Sequence, residues 1–217
     1  MPPVVSIVGR SKSGKTTLLE KLIRELKSRG YRVATIKHTV HQPALDSPEK
    51  DSWRHIQAGS EATVVSAPNG LFFIQPSAAE ISLDEVVRLF GEDYDIILTE
   101  GFKRGSAPKI AVHRKENGPP LSSVRKLVAI ATDEPLETRV RQFPLDDVRG
   151  LADLLEEGFI KPQRERTVLY VNRTPISLST FPKKFLASVM LGMVSALKGV
   201  AEITSLDFFL RRKPSKD

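Results

Sequence analysis

The sequence predicts an α/β domain: a mainly parallel sheet with helices on both faces. Two observations carry that prediction. Strand and helix patterns alternate through residues 1–160, as they do where parallel strands are joined by helical crossovers. The first strand also runs directly into a glycine-rich loop that opens a helix. That loop, Gly9-Arg10-Ser11-Lys12-Ser13-Gly14-Lys15-Thr16-Thr17, fits the phosphate-binding pattern G-x-x-x-x-G-K-[ST], and strand and helix flank it as the motif requires.

The elements follow in order. Val4-Val5-Ser6-Ile7-Val8 is an apolar strand entering Gly9. Leu18, Leu19, Leu22, Ile23 and Leu26 recur at helical spacing and predict a helix over 15–29, closed by Gly30. A β-rich run over 32–36 ends at Lys37-His38-Thr39, and a polar, proline-punctuated stretch over 41–49 follows. A short helix over 51–58 stops at Gly59. Strands over 62–66 and 71–74 flank the turn Pro68-Asn69-Gly70. Ser82 and Glu85 have capping-box spacing, and Val86, Val87, Leu89 and Phe90 supply that helix with an apolar face. Asp95-Ile96-Ile97-Leu98-Thr99 reads as a buried strand, with Asp95 structural at its far edge and Glu100-Gly101 following. Strands over 109–113 and 127–131 and a helix over 145–156 complete the domain near Gly158. Ligands bind such sheets at the carboxyl ends of the strands, so each polar residue just after a strand is a site candidate.

The domain is assigned to residues 1–160, with a linker over 161–166 and a small α+β appendage over 167–213. The appendage reads as a strand over 168–171, a turn over 172–175, a helix over 182–197 and a final strand over 203–210. Phe185, Val189 and Met193 line one side of the helix. A unit of this size buries little core by itself and is expected to pack on the main domain or on a partner.

Composition narrows the function classes. The 217 residues contain no cysteine and only four histidines, which leaves no disulfide or thiolate metal site and little support for structural zinc. No apolar run is long enough to span a membrane, and Met1-Pro2-Pro3 leads straight into a strand, so neither membrane insertion nor a signal peptide is expected. A cytoplasmic protein fits these features. The net charge of +7 raises nucleic-acid binding, but the basic residues are dispersed and only Arg211-Arg212-Lys213 forms a run. An anionic small molecule or an acidic partner accounts for the charge without the one-face clustering of a nucleic-acid footprint.

The chemistry centres on the loop. Its backbone N–H groups and the positive end of the following helix face an anion. Lys15 would reach the β/γ-phosphates, and the Thr16 hydroxyl would take a Mg²⁺ position. Glu100, at a strand end beside the loop, would hold Mg²⁺ or orient water, and Gly101 allows close approach of backbone to the γ-phosphate. Lys37 ends the second strand on the same edge and would touch phosphates or an anionic ligand, as would Arg54. Asp51 would coordinate Mg²⁺; it also suits the N-cap of its helix, and the roles are compatible. Asp133, after the strand at 127–131, can accept hydrogen bonds from the N1–H and exocyclic amine of guanine; a turn cap before Glu134-Pro135 is the alternative.

Taken together, the Gly9–Thr17 loop, Ile36-Lys37-His38-Thr39, Lys50-Asp51-Ser52-Trp53-Arg54-His55 with Ala58-Gly59, Thr99-Glu100-Gly101-Phe102-Lys103 and Thr132-Asp133 resemble the MobB family. Its members are the GTP-binding accessory proteins of molybdopterin guanine dinucleotide biosynthesis. The resemblance covers about residues 4–158. It implies a P-loop NTPase fold, bound GTP, a homodimer and low intrinsic GTPase activity. It also implies action beside the guanylyltransferase MobA, which joins GMP to molybdopterin, with molybdopterin a further ligand. Gln42-Pro43-Ala44-Leu45 stands where the family carries a second histidine followed by aspartates, and only Asp46 survives there. Arg10 lies where MinD-like ATPases have a signature lysine and could reach a partner's nucleotide; a plain surface arginine is the alternative.

The expected function is therefore a Mg²⁺-dependent GTP-binding accessory protein with weak GTPase activity. Two rivals use the same loop. A small-molecule kinase would need a mobile basic lid, for which residues 102–126 supply Lys103, Arg104, Lys109, Arg114, Lys115, Arg125 and Lys126. A metallochaperone-type GTPase would need cysteine or a His-rich tract, and neither is present.

Overall fold

The computed structural model describes residues 1–39, 51–163, 167–172, 174–208 and 210. The stretch around Gln42, Pro43, Ala44, Leu45 and Asp46, the linker residues 164–166 and the basic run 211–213 lie outside the described residues. The chain forms two compact units, Met1–Arg164 and Glu165–Asp217.

In the first unit six strands form one sheet: β1 (Val4–Gly9), β2 (Val33–Lys37), β5 (Ile96–Glu100), β6 (Lys109–His113), β7 (Leu127–Thr132) and β8 (Arg141–Pro144). Their order is β2-β5-β1-β6-β7-β8, and every pairing is parallel. Alternation along the strands sends side chains to opposite faces. On one face Val5, Ile7, Leu98, Ile110 and Ala131 pack under helix α1 (Lys15–Ser28) and helix α4 (Val148–Leu155), which bury Leu18, Leu22, Leu26, Leu151 and Leu155. On the other, Ala34, Ile36 and Ile97 meet Leu83 and Val87 of helix α3 (Leu83–Arg88). The predicted α/β sheet with helices on both faces is the observed architecture.

Local signals account for most boundaries. Ser82 caps α3 with the full box: its hydroxyl accepts from the Glu85 N–H at 3.3 Å, and the Glu85 carboxylate accepts from the Ser82 N–H at 2.9 Å. Asp95 is structural, as expected. Its carboxylate accepts from the Arg32 N–H at 2.7 Å, and its own N–H donates to the Arg32 carbonyl at 2.9 Å. Helix α2 (Asp51–Gln57) and the antiparallel hairpin of β3 (Thr63–Ala67) and β4 (Gly70–Ile74) stand apart from the main sheet.

Four expectations are corrected. Leu89 does not belong to the apolar face of α3; it lies one residue past the helix and is 58% exposed. The helix expected over 145–156 starts at Val148, because Asp147 caps it by accepting from the Gly150 N–H at 2.9 Å, and its chain continues as a π-helical segment over Glu156–Ile160. The residues just before it, Arg141–Pro144, form the edge strand β8. In the second unit the turn expected over 172–175 is shorter, since β10 (Thr174–Ile176) pairs back on β9 (Leu169–Val171). Helix α5 (Thr180–Ser195) follows, while no described residue of 203–210 joins a strand; β9 and β10 pair only with each other, and a strand exists only through its ladder.

Candidate phosphate-binding site

The loop closes because its glycines permit contacts that a side chain would block. A Cβ on Gly9 would stand 2.5 Å from the Ser13 hydroxyl and 2.7 Å from the Val112 carbonyl oxygen. Lys12 and Gly14 turn the chain through left-handed backbone, with φ of 60° and 90°. Gly14 caps α1 without a side-chain hydrogen bond, so the first N–H groups of the helix face outward toward an anion. Ser13 is buried within the loop, and its hydroxyl has no hydrogen-bond partner among the described residues. A buried polar atom in that position suits a ligand that brings acceptors.

The charged groups gather at the carboxyl ends of the central strands. Lys15 donates from Nζ to the Arg10 carbonyl at 2.7 Å, curling back over the loop. Burial pulls its ammonium below the ordinary lysine range and nearby Lys103 adds to the fall, while Glu100 opposes it. The Thr16 hydroxyl lies 3.1 and 3.0 Å from Oε1 and Oε2 of Glu100. Glu100 ends β5, in register with Ile7 of β1 on one side and Lys37 of β2 on the other. An alcohol against a bidentate carboxylate is an all-oxygen donor set of the kind Mg²⁺ takes, and these residues fit that ion. Gly101 then turns with φ of 105° and donates its N–H to the Ile7 carbonyl at 3.1 Å; a Cβ there would press on His38 at 3.1 Å. The rings of His38 and Phe102 lie beside it, 4.5 Å apart and tilted by 42°.

The remaining expected residues are placed as follows. Lys37 is exposed at the end of β2, next to Glu100 in register. Ser11 and Lys12 are exposed on the loop. Arg10 donates from Nε to the Pro119 carbonyl at 2.9 Å and so ties the loop to its own chain. Asp51 opens α2 with its carboxylate 3.5 Å from Arg54; among the described residues no hydrogen bond or ion pair joins it to Lys15, Thr16 or Glu100. Asp133 follows β7 and accepts from the Lys115 N–H at 2.9 Å, with Arg114 at 4.0 Å. The segment 102–126 is not one lid, because its centre is the core strand β6. Lys109 is fully buried there, donating to the carbonyls of Gly105 and Ala107 at 2.7 and 2.8 Å.

Sequence reasoning missed a cleft next to the loop. Beside the loop lies a cleft of about 240 Å³, lined by Ser13, Gly14, Thr17, Leu18 and Lys21 from the loop and α1, and by Arg114, Leu145 and Asp146. Arg114 directly follows the predicted strand over 109–113, so the strand-end rule could have found it. Leu145 and Asp146 follow β8, whose single buried apolar residue, Phe143, leaves no periodic signal.

The chain is similar to known proteins. Residues 4–133 match the family MobB, described as molybdopterin guanine dinucleotide synthesis protein B. The chain is 39% identical over 156 residues to the molybdopterin-guanine dinucleotide biosynthesis adapter protein of Haemophilus influenzae, covering 71% of this chain and 88% of that protein. It is 37% identical over 167 residues to the protein of the same name from Escherichia coli, covering 74% and 95%. Among solved structures, a molybdopterin-guanine biosynthesis protein B superposes with a TM-score of 0.57 at 30% identity, over 72% of this chain and 99% of that one. A MobB homologue from Bacillus stearothermophilus gives 0.55 at 28% identity, over 71% and 96%.

Proposed function

Because the chain belongs to the MobB family, we propose that it is a GTP-binding adapter of molybdopterin guanine dinucleotide biosynthesis with weak, Mg²⁺-dependent GTPase activity. The observation that carries this reading is the contact of Thr16 with both oxygens of Glu100 at the mouth of the glycine loop. Lys15 and the amides at the start of α1 would hold the phosphates. Thr16 and Glu100 would hold Mg²⁺, which when bound offsets the charge of the phosphate oxygens. Lys37 would extend the positive edge, and Asp51 would join the cation when α2 approaches the phosphates. Asp133, after β7, would read the guanine.

The residues gathered here suit holding charge more than driving hydrolysis. Glu100 is engaged by Thr16 and Lys15 by the Arg10 carbonyl, an arrangement consistent with slow turnover. Binding would then convey the nucleotide, or switch a partner, a MobA-like guanylyltransferase carrying molybdopterin. A homodimer in the cytoplasm completes the proposal. Among the described residues no helix is long and apolar enough to cross a membrane, and the β3–β4 hairpin exposes Leu71, Phe72 and Phe73 as a surface a second copy could cover.

The deciding experiment is a reconstituted assay of molybdopterin guanylylation by the transferase, with and without this chain. Stimulation by the wild type and none by Lys15→Ala is expected. A chain that binds GTP yet leaves the reaction unchanged would sink the adapter role.

A further inference from the structure

The second unit leaves its helix uncovered. Among the described residues every buried apolar cluster ends by Ile160, and α5 has no fully buried residue. One side of α5 is half-buried along Leu186, Met190 and Val194. Around the other side Phe181, Phe185, Val189 and Met193 recur every fourth residue and are 75%, 57%, 40% and 65% exposed. The Phe181 and Phe185 rings stack on each other at 6.1 Å, so the stripe is already ordered. Leu197 and Phe208 carry the exposure past the end of the helix. Contiguous apolar surface of this extent marks a contact site.

Charge decides what covers it. The unit Glu165–Asp217 holds nine Lys and Arg against four Asp and Glu, a net +5 of the chain's +7. No acidic residue lies in α5. Lys184 is exposed on the flank of the aromatic stripe, and Lys198 is exposed just past the helix. A second copy would set positive charge against positive. A protein groove reads one helical stripe at i, i+4 and i+8, and would leave Leu197 and Phe208 in water. A lipid surface is fluid and accepts whichever apolar side chains protrude.

We propose that the exposed face of α5 is a peripheral anchor for an anionic phospholipid surface. Its 16 residues span about 24 Å at the helical rise. Among the described residues no helix can cross a membrane, and α5 instead lies in the plane of the interface. Phe181, Phe185 and Met193 enter the boundary of the acyl chains. The stems of Lys184 and Lys198 run along that boundary and bring their ammonium groups to the lipid phosphates. The inference is independent of what binds at the glycine loop.

The test is sedimentation of the full-length chain with vesicles of phosphatidylglycerol or of phosphatidylcholine, at low and high salt. The chain should bind phosphatidylglycerol about tenfold more tightly than phosphatidylcholine, and salt should erode that preference. Phe181→Ser combined with Phe185→Ser should weaken vesicle binding by roughly tenfold or more. Its melting should match the wild type, because both rings are exposed. Lys184→Glu combined with Lys198→Glu keeps the apolar stripe and should lose the preference for phosphatidylglycerol. The inference is overturned if the wild type leaves both vesicles unbound, binds the two alike, or binds no better than either double variant. Where no vesicle is bound, sedimentation equilibrium identifies the occupant. A dimer that the double Phe variant breaks gives the face to a second copy, and an unchanged oligomeric state gives it to another protein.

Discussion

The Thr16 hydroxyl sits 3.0 Å from Oε2 and 3.1 Å from Oε1 of Glu100, although 84 positions separate the two residues. The parallel pairing of β1 with β5 brings them together, since it sets Ile7 beside Glu100 just before the chain enters the loop. One residue comes from the start of α1 and one from the end of β5, so the pair reports whether sheet and loop are in register.

Glu100→Gln should keep triphosphate binding in the absence of Mg²⁺ and lose most of the gain that Mg²⁺ brings. Titration calorimetry with and without the ion measures this directly. An undiminished Mg²⁺ effect would remove Glu100 from the cation site.

Lys15→Ala should weaken triphosphate binding by about 10- to 100-fold, the range for one charge-assisted hydrogen bond. The fold should survive, because Lys15 is only half-buried and, among the described residues, its ammonium donates only to a loop carbonyl. Circular dichroism and a binding isotherm on the same sample separate the two effects.

Gly9→Ala should destabilise the first unit by about 1–3 kcal/mol, as overpacking does. Its Cβ would stand 2.5 Å from a hydroxyl and 2.7 Å from a backbone carbonyl; the hydroxyl can rotate, the carbonyl cannot. Denaturant midpoints of wild type and variant are the measurement, and equal midpoints would contradict the crowded loop.

A pH effect follows from Arg29. Its guanidinium joins α1 to the α4 region through Glu25 at 2.8 Å, Asp153 at 2.6 Å and Glu156 at 2.8 Å. Hydrogen bonds from Arg29 first, then Lys161 and Tyr31, lower the Glu156 pKa from 4.5 to about 2. A carboxylate depressed in the folded state stabilises fully above its unfolded pKa and loses that contribution as pH falls through the folded one. Wild-type stability should therefore drop between about pH 4.5 and pH 2, and Glu156→Gln should flatten that limb. Identical acid limbs for the two proteins would show that Glu156 does not contribute.

The first unit should fold and bind nucleotide without the second. Every residue of the three buried apolar clusters lies at or before Ile160. A chain ending at Arg164 is expected to melt cooperatively and to match the full chain in GTP affinity. Loss of cooperative melting would place part of the stabilising core beyond that point.

Much of the first unit was legible because its signals are local. The glycines of the loop, the helical spacing of Leu18, Leu22 and Leu26, the Ser82–Glu85 box and the apolar run into Glu100 each lie within a few residues of what they specify. The segment Arg141–Pro144 was not legible. It holds one buried apolar residue and ends in proline, and it becomes a strand only because the edge of β7 offers it a ladder. The reverse holds at 203–210, where an apolar run finds no ladder and forms no described strand.

By itself, then, the sequence determined the α/β class, the glycine-rich loop with Lys15 and Thr16 after it, and the placing of Glu100 at a strand end. The tertiary structure decided which distant residues share a site. Arg114 lies over Gly14, and Leu145 and Asp146 close a cleft against Thr17 and Leu18. The reason is the crossover geometry of a parallel sheet. Strand order and register come from hydrogen bonds between segments far apart in the chain, and no local pattern encodes which strand end will stand beside the loop.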